Sequence, residues 1–83
     1  MSDERKVFNV WPLWDREVER LISQTDIWGL NVETATLEEF TEVVVDLAHE
    51  MIAANHADEI AGKLPVVVIH PPGELSDMIE DAA

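Results

Sequence analysis

Eighty-three residues without a cysteine make one small domain that no disulfide or thiolate metal site can staple. Eighteen acidic side chains against five basic ones leave a net charge of −13, which repels nucleic-acid phosphates and anionic lipid and excludes direct binding to either. The longest unbroken apolar run, Val66 to Ile69, is far too short to cross a bilayer, and MSDERKVF has no apolar core of a signal peptide, so a cytoplasmic protein is expected.

Residues 1–6 are polar and are expected to be a flexible terminus. Val7 to Trp14, VFNVWPLW, has the composition of a strand, with Phe8, Val10, Pro12 and Trp14 on one face and Val7, Asn9, Trp11 and Leu13 on the other. Pro12 has no amide hydrogen, so it must turn away from a partner strand or sit at a bulge. Asp15-Arg16-Glu17 reads as a turn without glycine, and Val18 to Gln24 as a second strand whose alternation is broken by adjacent Leu21 and Ile22. Thr25 to Gly29 turns the chain again, with Gly29 supplying the positive φ that Trp28 could not, and Leu30 to Glu33 is a short third strand.

Thr36 is the expected N-cap of a helix, with Glu39 completing a capping box and Glu38 and Glu39 suiting the positive end of the helix dipole. Leu37, Phe40, Val44, Leu47, Ala48, Met51 and Ala54 recur at helical spacing, so the helix is expected from Leu37 to between Asn55 and Ala57. Gly62-Lys63 closes the connection to a fourth strand, Leu64 to His70, which Pro71-Pro72-Gly73 stops. The acidic tail, 71–83, places Leu75, Met78 and Ile79 at helical spacing and is either one short helix or disordered.

This order, β-β-β-α-β, predicts an α+β domain over 7–70: a two-layer sandwich, partly ribonuclease-H-like and ferredoxin-like. An antiparallel three-strand meander is crossed by a helix on one face, and a right-handed connection brings the fourth strand parallel to the first, in the order 3-2-1-4. One helix covers one face. The other face is expected to expose Trp11, Leu13, Val66 and Val68, and self-association as a homodimer or higher homo-oligomer is expected there or along the fourth-strand edge.

The pattern for catalysis is missing. His49 and His56, seven apart, would stand roughly 10 Å from each other on a helix, too far for one metal ion, and read as surface or cap residues. His70 has no evident relay partner. There is no Ser-His-Asp spacing and no glycine-rich phosphate loop, and Trp11, Trp14 and Trp28 read as core or interface residues. The element order is similar to part of the ribonuclease H fold, but that chemistry needs carboxylates converging on Mg²⁺, and the first strand has none before Asp15. No catalytic, cofactor-binding or metal-binding residue is therefore expected.

A strand ending in Trp14-Asp15, a second strand, then Asp26-Ile27-Trp28-Gly29-Leu30, a short strand and Thr36-Leu37-Glu38-Glu39 at a helix start resembles, over 7–68, the HicB-like family. Within it the chain is most similar to the small free-standing bacterial proteins of unknown function. Trp28 stands where the family usually has proline, and the first turn lacks the usual glycine. The resemblance implies a non-enzymatic, antitoxin-like domain. In the family, the acidic domain binds HicA, a small basic toxin that cleaves mRNA, and masks its active site. Longer members add a DNA-binding domain, for which the stretch after His70 leaves no room, so regulation through DNA is not expected. A charge of −13 suits mimicry of the polyphosphate that a basic nuclease binds. The candidate contacts are Glu38, Glu42, Asp46 and Glu50 on the helix and Asp77, Glu80 and Asp81 in the tail. Each taken singly reads more readily as a solvated acid, and the alternative is an orphan homo-oligomeric domain whose acidity serves solubility.

Overall fold

Alternation in VFNVWPLWD builds the central strand β1 (Val7–Asp15), with Phe8 and Val10 buried in the core while Val7 is exposed and Asn9 half-buried. The computed structural model describes residues 5–75. The first turn closes where Glu19 donates its amide to the Asp15 carbonyl at 2.8 Å and takes a left-handed φ of 57°. That role would suit glycine, and Glu19 fills it at the cost of some backbone strain. Val18, expected in the second strand, therefore lies exposed in the turn, and β2 (Arg20–Thr25) starts two residues later, antiparallel to β1.

The third strand is shorter than its pattern suggests. Only β3 (Glu33–Thr34) is a regular strand, paired antiparallel with β2. Upstream, the Ser23 amide donates to the Val32 carbonyl at 3.0 Å, while the Val32 amide donates to Ser23 Oγ at 2.9 Å. A side-chain oxygen thus replaces a backbone one and the ladder becomes irregular. Leu30 and Val32 are nonetheless buried.

Helix α1 (Leu37–Asn55) has the expected start: the Glu39 amide donates to Thr36 Oγ1 at 3.2 Å. The Glu39 carboxylate accepts from the same hydroxyl at 3.2 Å, so the capping box closes on the Thr36 side chain. The buried row is Phe40, Val44, Ala48 and Ile52. Leu47 and Met51 are half-buried, whereas Leu37 and Ala54, the ends of the expected stripe, are exposed. A row stepping by four drifts round the helix, which brings Ile52 inward as Ala54 turns out. With Phe8, Val10, Leu21, Ile27, Leu30 and Val32, this row forms the core between helix and sheet. A single turn, α2 (Ala57–Ile60), follows and ends on Ala61 at φ 51°.

Strand β4 (Val66–Ile69) returns parallel to β1, and the sheet order is β3-β2-β1-β4 as the connection rule requires. A further short strand not read from the sequence, β5 (Gly73–Glu74), continues along the same side of β1, and Arg16 donates to Glu74 Oε2 at 2.8 Å. Between the pairs Val10↔Ile69 and Leu13↔Gly73, β1 advances three residues and the edge four. That extra residue is a bulge at His70-Pro71-Pro72. Asn9 turns its amide and carbonyl toward the β2 side, so the missing amide of Pro12, three residues on, falls at this bulge, where no ladder bond is lost. Among the described residues no helix is long and apolar enough to cross a membrane.

Candidate interaction surface

Four of the expected contact acids share one flank of α1. Glu38, Glu42, Asp46 and Glu50 step by four and are all exposed. The ion pairs found among the described residues, Lys6–Glu59 and Arg16–Glu74, and the His56–Glu59 contact include none of them, and α1 contains no lysine or arginine. Three like-charged i,i+4 pairs each cost the helix about 0.2–0.5 kcal/mol, a repulsion that a cationic partner would relieve. Asp77, Glu80 and Asp81 lie outside the described residues.

The opposite sheet face differs from the expectation. Leu13 is not offered to solvent: it is only 4% exposed, beside half-buried Ile22 across the ladder and close to Gly73 of β5. Trp11 is half-buried and stacks on the His70 ring, centroids 4.6 Å apart and planes 9° from parallel. Val68 is half-buried, and of the four only Val66 is exposed. The strand that closes over Leu13 had no signal beyond one glycine after two prolines.

His70 also has a partner that its sequence context did not suggest. The Asp26 carboxylate accepts from the Asn9 amide at 2.8 Å and from Asn9 Nδ2 at 3.2 Å, which leaves Asn9 Oδ1 to accept from His70 Nε2 at 2.9 Å. This chain of bonds ties the second turn to β1 and to the bulge after β4. It orders this part of the surface.

A third array lies where α1 ends. His56, expected as a surface or cap residue, does cap α1, but it is buried at 5% exposure, edge-on to Phe8 at 4.8 Å. The Trp28 amide donates to His56 Nε2 at 2.9 Å, so the ring proton sits on Nδ1, where it faces Glu59 Oε2 at 2.5 Å. That hydrogen bond is the main cause holding the Glu59 carboxyl below its usual 4.5; lost hydration opposes it, and Lys6 at 3.4 Å adds to it. Asn55 Nδ2 donates to the Trp28 carbonyl at 2.7 Å. Both polar groups of the Trp28 backbone are thus held by the end of α1, while the Trp28 side chain is 76% exposed. The adjacent Asn55-His56 at a helix end is the one local sign of this clasp, and spacing alone does not connect it with a turn 27 residues earlier.

Among the described residues, shallow depressions lie beside the sheet. One, of about 370 Å³, lies beside Ile22, Ser23 and Asn31 to Glu33; another, of about 250 Å³, lies between α1 and β4. Among the described residues no group of three His, Cys, Asp or Glu side chains could hold a metal ion. The chain matches no protein-family model, no curated protein and no solved structure.

Proposed function

We propose that this chain is a non-enzymatic protein-binding domain, HicB-like and antitoxin-like, whose acidic surface masks the active site of a small basic RNA-cleaving protein. The observation that carries the reading is the row Glu38, Glu42, Asp46 and Glu50 on the exposed flank of α1, which enters none of the ion pairs found among the described residues, in a chain of charge −13. A row stepping about 6 Å along the helix presents a line of negative charge, as a nucleic-acid backbone does. A nuclease groove built for polyphosphate would accept it, with an encounter steered by charge. The order of β1, β2, β3, α1 and β4 is consistent with the resemblance to HicB-like domains but does not by itself carry the function. The second reading, an orphan homo-oligomeric domain whose acidity serves solubility, is favoured by the uncharged edge of β4.

The deciding experiment is capture of tagged protein with its bound material from native cells at low salt, followed by elution at high salt. The expected result is a stoichiometric small basic protein that cuts RNA once freed and is silenced when the acidic chain is added back. Glu42→Lys with Asp46→Lys should abolish that silencing while leaving the fold intact, because both sites are exposed. Recovery of nothing but copies of the chain itself would reject the antitoxin reading in favour of the second one.

A further inference from the structure

The longest uncharged run in this acidic chain lies on a sheet edge. From Leu64 to Gly73, LPVVVIHPPG, there is no acid, lysine or arginine. Val66 donates its amide to the Lys6 carbonyl at 3.0 Å and His70 its amide to the Val10 carbonyl at 2.8 Å, so alternate residues of β4 bond to β1. The amides and carbonyls of Val67 and Ile69 therefore point the other way, where no described strand pairs with them. Above that edge lies the groove of about 250 Å³, walled by Val44, Val45, Ala48 and His49 of α1 and by Val67 and Ile69 of β4. Its rim carries Val45, 63% exposed, and Leu64, 72% exposed, lies just before β4. A β-branched edge strand with no charged residue along it is open to another strand.

We propose that two copies of this chain join through that edge, β4 lying antiparallel to its twin about a two-fold axis at Val68, so that the two sheets become one. Charge selects the occupant. A basic protein is drawn to the acidic flank of α1, not to a strip without charge, whereas two chains of −13 can approach closely only where their acids are absent. The register is set by prolines. With the axis at Val68, Val67 pairs with Ile69 of the second copy and Ile69 with its Val67, and Pro65 stands opposite Pro71 at both ends. Neither proline has an amide to donate, so the ladder is four bonds long and stops there. An interface of this kind is self-complementary and closes at two copies. It does not rest on the antitoxin reading, since the acidic row of α1 stays outside the ladder.

The test is sedimentation equilibrium of the full chain, combined with amide hydrogen exchange at low and high protein concentration. The mass should rise with concentration from 9.4 kDa to twice that value and no further. The amides of Val67 and Ile69 should become protected as the dimer fills, while those of Val66 and His70, already bonded to β1, are protected throughout. Added salt should tighten the pair, because Glu42 lies one turn before Val45 and repulsion between the copies is screened. Val45→Glu, at an exposed helix position where glutamate is a better helix former, should weaken the dimer by about tenfold or more without unfolding the chain. A monomer at every soluble concentration would overturn the proposal. So would a dimer whose Val67 and Ile69 amides exchange as fast as in the monomer, or one that Val45→Glu leaves unchanged.

Discussion

The His56 ring joins three parts of the chain through its two nitrogens and its edge: the Trp28 amide, the Glu59 carboxylate and the Phe8 ring. Periodicity gives a histidine just past the last helical turn no reason to be buried, and a cation there would suit the helix dipole. The structure uses the residue differently. Its Nε2 accepts from the Trp28 amide, and its Nδ1 faces the Glu59 carboxylate. Because the folded protein holds the Glu59 carboxyl below 4.5, the value it has when unfolded, its contribution is fully present above that pH and is lost as pH falls through the lower, folded value. The measurement is the melting temperature of the protein against Glu59→Gln from neutral to acid pH. The gap between the two should be widest at neutral pH and close below about 4.5.

Where elements meet, the end of α1 and the second turn hold each other. Gly29 has φ 87°, and a Cβ there would lie 2.8 Å from Asn55 Nδ2, the atom that holds the Trp28 carbonyl. Gly29→Ala would therefore strain the backbone and push away one arm of the clasp, at a cost of about 1–3 kcal/mol. Urea unfolding should show that loss as a lower midpoint at unchanged slope, with a loss at the low end of that range for Asn55→Ala, which removes one hydrogen bond worth about 1 kcal/mol. The need for a positive φ at Gly29 was legible in the pattern Trp28-Gly29 before a strand; the close approach of Asn55 was not, because it depends on how far α1 runs past the sheet. The helix itself was legible, its start to the residue because Thr36 and Glu39 mark it, and its end within two residues from the length of the apolar repeat. Its inward row was legible in Phe40, Val44 and Ala48 but not in Ile52. Spacing admits several neighbouring stripes, and the one chosen, with Ile52 in and Leu37 and Ala54 out, follows from the line along which the helix crosses the strands.

For the whole molecule, charge is the dominant fact. At −13 the chain repels itself, and screening should raise its melting temperature by a few degrees between low salt and about 0.5 M salt. The same screening acts with opposite sign on the two associations argued above: a complex with a basic protein loosens, and the β4 pair tightens. Measuring both on one preparation separates them, because no single change in fold stability moves them in opposite directions.

The amino-acid sequence by itself determined the order β1, β2, β3, α1 and β4, the parallel return of β4, the helix and its cap, and the acidity. Each of these rests on local chemistry or on composition: period-two and helical spacing, a threonine followed by a glutamate three residues on, and the handedness of a crossover. Only the tertiary structure decided that Leu13 is covered, that His70 and Asn9 bond across the β1–β4 seam, that His56 and Asn55 grip Trp28, and that the uncharged run ends up on an open edge. These contacts join residues far apart in the chain. They depend on register and on the angle between helix and sheet, which are set when the whole core packs at once, and no window of neighbouring residues carries that information.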